Sequence, residues 1–387
     1  MRNDWYNSAF EIDLDVIRDA IRATREFVGP DTGIIPVLKS NAYGMGTVPM
    51  GRFMADQGFD LLAVAHLNEA HQLRRAAVPA DILLLSPLPL GAEEAAVELD
   101  IQASVFLPET VLALSEAAKK YGRPAKVQLK IETGMNRTGV EPGKPLSDLL
   151  EVIAACGNLQ ITGVFTHFAT ASDAGDPYTV AQFARFKTAL AQLERAGICP
   201  KYIHCCNTAA TLWFREAYCT HVRPGSMLLG FPDMNGWEQV IDIREPGTWK
   251  TRVTNVRDLQ PGDAAGYDRS FAPESPSRVA VIGVGYHDGI CRQLALDGGP
   301  VLLNGVQTRF VDICLDQALI DATGIDCRVG DEVVLFGRAQ NGATLSPRDL
   351  RPWTRGSAIY QMQLLTERVK RVYLEQGRPS DKYREEP

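Results

Sequence analysis

The spacing of hydrophobic residues changes once along the chain, near residue 247. From about residue 10 to residue 230, short runs of aliphatic and β-branched residues alternate with longer stretches whose apolar positions recur at helical spacing. The short runs predict strands at 34–39, 61–65, 82–85, 101–106, 127–131, 161–167, 202–205 and 227–230. The longer stretches predict helices, among them 14–27, 108–121 and 180–196. Because strands separated by helices pair in parallel, about eight such units favour a closed (β/α)8 barrel over an open sheet.

Beyond residue 247, the predicted strands are short and are separated by turns rather than helices. Apolar runs lie at 279–284, 301–303, 308–314 and 332–336, and the turn signals between them include Pro261-Gly262-Asp263 and Asn341-Gly342. This pattern predicts a mostly antiparallel β domain. Because Gly, Pro and charged residues cluster at 235–248, we predict an α/β barrel over residues 1–240 and a β-rich domain over residues 241–387.

Polar side chains follow several predicted barrel strands at the point where each strand ends. Lys39 closes the first run, His167 closes the sixth, and Asn207 and Thr208 follow the seventh. The C-terminal ends of barrel strands are where active sites lie, so these residues form a candidate site. A lysine at the end of an apolar strand is partly desolvated, which favours its neutral, nucleophilic form. A lone lysine in such a position is also commonly an ordinary surface residue.

The composition and the charge of the chain argue against several classes of protein. The chain has 387 residues, 45% of them hydrophobic and 22% charged, as expected for a globular protein of two domains. A net charge of −7 argues against a nucleic-acid partner. We find neither an apolar run long enough to span a membrane nor a secretory signal in the first ten residues, so we expect a cytoplasmic protein whose eight cysteines are thiols. Since no Cys-x-x-Cys pair occurs, we predict no metal site.

Seven short motifs occur in order along the chain. They are Val37-Leu38-Lys39-Ser40-Asn41-Ala42-Tyr43-Gly44, Gly134-Met135-Asn136-Arg137-Thr138-Gly139, Thr166-His167-Phe168-Ala169, Asn207-Thr208-Ala209-Ala210, Val222-Arg223-Pro224-Gly225, Gly266-Tyr267 and Gly285-Tyr286-His287-Asp288-Gly289. In this order they resemble segments of the alanine racemase family, and the resemblance covers nearly the whole chain. It implies an amino-acid racemase that uses pyridoxal 5′-phosphate, with Lys39 joined covalently to the cofactor.

The resemblance also assigns the residues that hold the cofactor. Five of them would bind its phosphate, namely Tyr43, Thr208, Gly225, Ser226 and Tyr360. Thr208 is equally well placed to cap the helix that follows it. Arg223 would face the pyridine nitrogen, and because a guanidinium only donates hydrogen bonds, that nitrogen would stay unprotonated. Such a ring is a weaker electron sink, which favours racemisation over transamination or decarboxylation.

Racemisation needs a base on each face of the substrate Cα. By resemblance these bases are Lys39 and Tyr267, with His167 hydrogen-bonded to Tyr267. Tyr267 lies in the predicted second domain, and the family solves this geometry with a homodimer in which each site takes Tyr267 from the partner.

Further substrate contacts also follow from the resemblance. Arg137, Leu315 and Tyr286 would contact the substrate. In many relatives the lysine at the position of Lys130 is carbamylated and holds the arginine corresponding to Arg137. Without that modification Lys130 could equally be an ordinary strand residue.

The chain departs from the family at several positions. Ser40 replaces an alanine, which is a small change, and Cys314-Leu315-Asp316-Gln317 replaces a usual Met-Asp-Gln ending. Asp312 and Ala358 align with an arginine and a larger aliphatic residue of the substrate entrance, although Arg309 lies close enough to leave the register open. A wider, less positive entrance would suit a larger or cationic amino acid such as serine, lysine or ornithine.

Two further functions remain to be considered. A basic-amino-acid decarboxylase of the same barrel class is disfavoured by Arg223, because decarboxylation needs a protonated ring nitrogen. A non-catalytic cofactor carrier is disfavoured by Tyr267, because carriers that resemble this barrel lack the second domain and its tyrosine. An alanine racemase is therefore the leading interpretation.

Overall fold

The computed structural model describes residues 6–232, 234, 236–357 and 359–384. Its strands are β1 (Ser8–Asp13), β2 (Gly33–Ile34), β3 (Leu61–Val64), β4 (Asp81–Leu84), β5 (Ile101–Val105), β6 (Ala125–Lys130), β7 (Leu159–Phe165), β8 (Tyr202–His204), β9 (His221–Val222), β10 (Gly247–Leu259), β11 (Ser277–Ile282), β12 (Pro300–Leu303), β13 (Val306–Ile313), β14 (Ala318–Asp321), β15 (Glu332–Arg338), β16 (Thr344–Leu345), β17 (Lys370–Glu375) and β18 (Arg378–Pro379). Its helices are α1 (Leu14–Val28), α2 (Lys39–Tyr43), α3 (Thr47–Asp56), α4 (Leu67–Arg75), α5 (Glu93–Glu98), α6 (Pro108–Tyr121), α7 (Lys144–Cys156), α8 (Pro177–Arg195), α9 (Thr208–Trp213), α10 (Arg292–Leu296), α11 (Arg351–Thr354) and α12 (Tyr360–Gln363).

Strands β2 to β9 form a closed parallel barrel. Seven of the strand pairs follow the order β2-β9-β8-β7-β6-β5-β4-β3. The ring closes where Val37, just after β2, bridges in parallel to Ala63 of β3. All residues of β3 and β5 are buried, as expected for parallel strands covered on both faces. The predicted (β/α)8 barrel is confirmed.

The last barrel strand differs from the prediction. Residues 227–230 were expected to form it, but they lie in turns, and Gly230 has a φ of 83° that an extended strand does not adopt. The eighth strand is instead β9, of two residues only, which pairs with β2 and β8. An apolar run of four residues fits a strand and a buried turn equally well, and the prediction chose the wrong one.

The second sheet is mostly antiparallel, as predicted, and has ten strands in the order β16-β15-β12-β13-β14-β11-β10-β1-β17-β18. An additional pairing of β15 with β10 closes the six strands from β15 to β10 into a ring. The amino-terminal strand β1 belongs to this sheet, antiparallel to β10 and parallel to β17. Both ends of the chain therefore contribute to it, and the predicted domain boundary stays a prediction.

The connections place the barrel and the second sheet in direct contact. Helix α1 follows β1 without a loop, and the Asp13 carboxylate caps it by accepting the N–H groups of Asp15 at 2.9 Å and Val16 at 3.3 Å. From β17, Arg371 Nε donates to the carbonyl of Gly44 at 3.1 Å, and Tyr373 Oη donates to the carbonyl of Met45 at 2.6 Å. These bonds fix the second sheet against the segment that follows Lys39.

Two predictions from the sequence concern the state of the cysteines and the cellular location of the protein. All eight cysteines are free thiols. No helix within the described part of the chain is long and apolar enough to cross a membrane. The cytoplasmic location stays a prediction.

Candidate active site

A cavity of about 570 Å³ opens at the C-terminal ends of the barrel strands. Eight of the residues predicted for the site line it, and we call them the barrel half-site: Lys39, Tyr43, Arg137, His167, Thr208, Arg223, Gly225 and Ser226. Lys130, for which two interpretations were open, lines it as well. Side chains that are up to 187 positions apart in the sequence thus surround one space, because every barrel strand ends there.

Lys39 begins a short turn of unusual handedness. The four residues after it, Ser40 to Tyr43, have φ values of 57°, 54°, 49° and 55°, so the backbone makes a left-handed turn without glycine. Such a conformation costs about 1–2 kcal/mol for each residue that carries a Cβ. Gly44 completes the turn with a φ of 90°, and a Cβ there would lie 2.1 Å from the carbonyl oxygen of Met362. A strained backbone next to a predicted catalytic lysine is typical of functional sites.

The buried carboxylate of Glu69 holds this turn. Its Oε1 accepts the N–H of Asn41 at 3.2 Å, and its Oε2 accepts the N–H groups of Ala65 and His66 at 2.9 and 3.0 Å. The Asn41 side chain in turn accepts the N–H of Thr47 at 2.8 Å. Glu69 was not among the predicted site residues, although a glutamate three residues after a helix cap is a recognisable signal.

Lys39 has the electrostatic surroundings of a nucleophile. Burial lowers the pKa of its amine, and the positive charges of Arg137 and Arg223 lower it further, against a smaller opposing effect of Glu69. The neutral amine is therefore present at a lower pH than for a solvated lysine. This agrees with the expectation that Lys39 is partly desolvated at its strand end.

Arg223 is fully enclosed and connects two histidines. Its Nη2 donates to His167 Nδ1 at 3.1 Å and to the Thr166 carbonyl at 3.0 Å, while its Nη1 donates to His204 Nδ1 at 2.8 Å. Burial lowers the pKa of Arg223 to about 10, which still leaves it charged at neutral pH. Burial, with the charges of Arg223 and Arg137, holds the pKa of His167 well below its ordinary value.

The hydrogen bonds of Arg223 fix the tautomer of both histidines. Because a guanidinium only donates, each Nδ1 is an acceptor and each neutral ring carries its proton on Nε2. His204 Nε2 therefore donates to Gln128 Oε1 at 2.8 Å, and Gln128 donates onward to Gln102 at 2.7 Å. The Nε2–H of half-buried His167 is left as a donor at the wall of the cavity. His204 and the two glutamines were not among the predicted site residues.

One wall of the cavity carries a group of small donors. The Gly225 N–H and the Ser226 hydroxyl lie 3.2 and 3.4 Å from the hydroxyl oxygen of Thr208. The Tyr43 hydroxyl lies against Gly225, where a Cβ would come within 2.3 Å of it, so only glycine fits. The Asn207 side chain caps α9 by accepting the Ala210 N–H at 2.9 Å, which leaves the Thr208 hydroxyl available. These groups suit an anion with several oxygens.

Arg137 and Lys130 also line the cavity. The loop that carries Arg137 is held by Glu132, whose carboxylate accepts the N–H of Arg137 at 3.2 Å and that of Gly134 at 2.5 Å. Lys130 Nζ donates to the Leu85 carbonyl at 3.1 Å. Burial, followed by the charges of Arg137 and Arg223, lowers the pKa of Lys130 to about 8. Lys130 is therefore a buried lysine that loses its proton within one unit of neutrality.

Three predicted residues lie in segments that connect strands of the second sheet, outside the lining of the cavity, and we call them the sheet half-site: Tyr267, Tyr286 and Leu315. Their exposed fractions are 71%, 41% and 47%. Backbone bonds from Tyr286 N–H to the Cys314 carbonyl and from His287 N–H to the Leu315 carbonyl, both of 3.1 Å, join two of its loops. Tyr360, half-buried at the start of α12, is also absent from the cavity lining, although its neighbour Ile359 is present.

The two departures predicted at the substrate entrance have different outcomes. Asp312 is only 4% exposed, and its carboxylate accepts the backbone N–H groups of Tyr267 and Ile313, so it does not present an exposed negative charge to an entering substrate. The negative charge expected at the entrance is buried within the subunit, at the end of β13, where Asp312 and Ile313 are both buried. A place for Asp312 at the entrance stays a prediction. Ala358 lies outside the described residues.

Comparison with known proteins agrees with this arrangement. Sequence models named "Alanine racemase, N-terminal domain" and "Alanine racemase, C-terminal domain" match residues 12–232 and 247–373. An alanine racemase of Desulforamulus reducens is 36% identical over 370 residues, which is 94% of this chain and 98% of the relative.

Solved structures give the same result. An alanine racemase of Clostridium difficile superposes with a TM-score of 0.92 at 28% identity, over 98% of both chains. The alanine racemase of Bacillus anthracis with bound L-Ala-P superposes with a TM-score of 0.90 at 29% identity, over 97% of both chains.

Proposed function

The chain belongs to the alanine racemase family, and on that basis we propose that it interconverts L- and D-alanine with pyridoxal 5′-phosphate as cofactor. Lys39 would serve one face of the substrate Cα and Tyr267 of a second subunit the other. The observation that carries the proposal is the barrel half-site. It combines a lysine of lowered pKa, a buried arginine and a cluster of hydrogen-bond donors suited to an anion in one cavity.

The residues of the cavity fit this cofactor. Tyr43, Thr208, Gly225 and Ser226 would hold the phosphate, and a residue larger than glycine at position 225 would displace the Tyr43 hydroxyl from this group. Arg223 would face the pyridine nitrogen and would keep it unprotonated, since it has only protons to donate. When bound, the cofactor supplies the conjugated ring that withdraws electrons from the substrate Cα.

The chain's own residues move the proton. The Lys39 amine, whose pKa is lowered by burial, accepts the Cα proton on its face of the substrate and returns it there. The Tyr267 phenol does the same on the other face. His167 would assist Tyr267, because its Nε2–H is a donor and would stabilise the phenolate form of the tyrosine. Arg137 would bind the substrate carboxylate, with Tyr286 and Leu315 completing the site.

We infer a homodimer because the two proposed bases do not share a cavity within a single subunit. Tyr267 is 71% exposed and does not line the cavity that contains Lys39. A two-fold arrangement places the sheet half-site of each subunit at the barrel half-site of the other, so that two identical sites form together.

Lys130 has the properties of a carbamylation site, and we propose that it is modified. Its neutral amine would add to carbon dioxide and lose a proton, which forms an N–C bond and leaves a carbamate of negative charge. That charge would lie close to Arg137 and Arg223, whose positive charges now lower the pKa of Lys130. The modification would replace an unfavourable set of like charges with a favourable pairing.

The proposed function is tested with single-enantiomer amino acids. The purified protein, loaded with cofactor, is incubated with L-alanine, D-alanine, L-serine, L-lysine and L-ornithine, and the enantiomers are separated by chiral chromatography. We expect alanine to be racemised fastest in both directions. Borohydride should fix the cofactor to the peptide that contains Lys39.

Three results would contradict the proposal. They are label on another lysine, no inversion of any amino acid, or a preference for lysine or ornithine over alanine. The last would restore the alternative of a racemase for larger or cationic amino acids.

A further inference from the structure

The Tyr267 loop, residues 265–271, stands at the surface of the second sheet and has an unusual backbone. Its ends exchange two backbone hydrogen bonds of 2.8 and 3.1 Å. Between them, Asp268 and Arg269 have φ values of 55° and 57°, although both carry a Cβ. Left-handed φ values are unfavourable for such residues, so the loop needs a further contact to keep this shape.

Asp312 supplies that contact from the strand beneath the loop. Its Oδ2 accepts the backbone N–H of Tyr267 at 2.8 Å, and its Oδ1 accepts the N–H of Ile313 at 2.7 Å. The carboxylate is buried, with 4% of the residue exposed. Because the same carboxyl group accepts one N–H from the loop and one from β13, it ties the exposed loop to that strand.

Gly266 shows that the loop is shaped around this carboxylate. A Cβ at Gly266 would lie 2.0 Å from Asp312 Oδ2 and 2.3 Å from the Ser270 hydroxyl oxygen. Its φ of 81° is also unfavourable for other residues. Only a glycine before Tyr267 therefore allows the carboxylate to reach the tyrosine N–H.

We propose that Asp312 is a positioning residue, which fixes the phenol of Tyr267 for proton transfer by holding the tyrosine backbone. Tyr267 is 71% exposed in the single subunit, so the position of its phenol depends chiefly on how its backbone is held. Misplacement of a reacting group by about 1 Å commonly costs about a hundredfold in rate. The proposal rests on the proposed function of Tyr267.

The test compares Asp312→Ala with Asp312→Asn in the cofactor-loaded enzyme. Asparagine keeps one oxygen for the Tyr267 N–H, whereas alanine keeps none. We expect alanine at this position to lower kcat for racemisation in both directions by about ten- to a hundredfold with little change in KM, and asparagine to lower it by at most about threefold.

Loss of the Cα proton into D2O separates positioning from general damage. It is measured for each enantiomer of alanine without inversion. In Asp312→Ala, exchange should persist for the enantiomer whose proton faces Lys39 and should fall for the other. Equal loss with both enantiomers, or racemisation at the wild-type rate, would overturn the proposal.

Two more variants guard against misfolding and local damage. If Asp312→Ala does not fold, Gly266→Ala is used instead, because its Cβ should move the loop away from the carboxylate without changing the sheet. It should give the same unequal exchange between the two enantiomers. Wild-type racemisation in this variant would contradict the proposal. Asp321→Ala is the matched control, because Asp321 also accepts a backbone N–H, that of Thr323 at 3.0 Å, but lies on the neighbouring strand β14. It should leave the exchange pattern unchanged.

Tyr267→Phe, measured in parallel, distinguishes the two proposals. If this variant racemises normally, the proposed role of Tyr267 fails and the role of Asp312 fails with it. If Tyr267→Phe is inactive while Asp312→Ala is normal, only the role of Asp312 fails.

Discussion

The barrel half-site and the sheet half-site differ in how their side chains are held. In the barrel, Arg223 makes three hydrogen bonds inside a buried network, and a buried carboxylate holds the turn after Lys39. On the second sheet, Tyr267 is 71% exposed, and a single hydrogen bond from its backbone reaches the buried Asp312.

The difference indicates which part of the proposed site is organised before assembly. The barrel half-site has its donors, charges and tautomers set by one chain, so we expect the proposed cofactor to bind with little rearrangement. The sheet half-site has a fixed backbone and exposed side chains, which is the form expected of a surface that becomes buried against a second subunit. Variants in the two halves should therefore fail in different ways.

The largest expected effect comes from dividing the two bases between chains. Lys39→Ala and Tyr267→Phe should each lower racemisation by about a thousandfold or more, since each removes one proton-transfer group. After subunit exchange between the two inactive proteins, about a quarter of the sites should contain both intact residues. Racemase activity of the mixture, compared with wild type at equal subunit concentration, measures this fraction.

The control is a mixture of Tyr267→Phe with itself after the same exchange procedure. No recovery despite exchange verified by mass-tagged subunits would mean that each chain provides both bases to its own site, and it would remove the basis for the dimer.

A smaller effect is expected at Glu69, which tests how firmly the barrel half-site is held. Glu69→Gln keeps the size of the side chain but replaces one acceptor oxygen with an NH2 donor. Because the wild-type carboxylate accepts three backbone N–H groups, at least one of these bonds is lost. We expect a loss of about 2 kcal/mol in the free energy of unfolding and a fall in kcat, because the turn after Lys39 is released. Urea denaturation measures the first, and racemase assays the second.

The matched control for this variant is Glu116→Gln. Glu116 is an exposed helix residue paired with Lys119, so its change should stay within about 0.5 kcal/mol. A Glu69→Gln variant that is as stable as this control would show that the carboxylate charge is not needed for the left-handed turn.

The parts of the fold that were predictable are those with local signals. Helix α6 begins at Pro108 and ends before Gly122, whose φ of 63° is a common helix end, and both bounds were predicted. In contrast, the two-residue strand β9 has no pattern of its own. Strand β1 alternates buried and half-buried residues, but its place in the second sheet depends on partners more than 230 positions away.

The site was predictable where a motif names the residue and not where support comes from a distant residue. Lys39, His167 and Arg223 meet at one cavity, as the motifs imply. Glu69 was missed because its role depends on the backbone of a turn 28 residues before it. Asp312 was assigned to the entrance because alignment gives a position in the chain, but not the hydrogen bonds that its buried carboxylate accepts from Tyr267 and Ile313.

The next effect concerns Lys130 and the charge of the barrel half-site. Because its pKa is lowered to about 8, the protonated fraction falls as pH rises through about 8, and only the neutral amine reacts with carbon dioxide. The modified fraction should therefore increase between about pH 7 and pH 9 at constant carbon dioxide. NMR of the protein equilibrated with isotopically labelled carbon dioxide measures it, and Lys130→Met should lose the signal.

Activity should follow the same modification. Lys130→Met should lower kcat/KM by about tenfold, because Arg137 loses a negative partner that orients it. Lys144, exposed on α7, serves as control, and Lys144→Met should keep both the signal and the activity. A labelled carbamate that persists in Lys130→Met would assign the modification to another lysine.

The smallest effect comes from the contact between the two regions within one chain. Tyr373 Oη donates to the Met45 carbonyl at 2.6 Å, directly after the turn that follows Lys39. Tyr373→Phe removes this donor and leaves a buried carbonyl with one partner fewer, which should cost about 1 kcal/mol in the free energy of unfolding. If the second sheet supports the turn, cofactor affinity should also fall by a few fold, as measured by titration of the cofactor-free protein.

Tyr121→Phe, on an exposed tyrosine that donates to Glu98 at 3.4 Å, should change neither quantity. If Tyr373→Phe loses the expected stability but keeps its cofactor affinity, the barrel half-site is held by the barrel alone, through Glu69 and Arg223. The second sheet would then contribute only to the site of the other subunit.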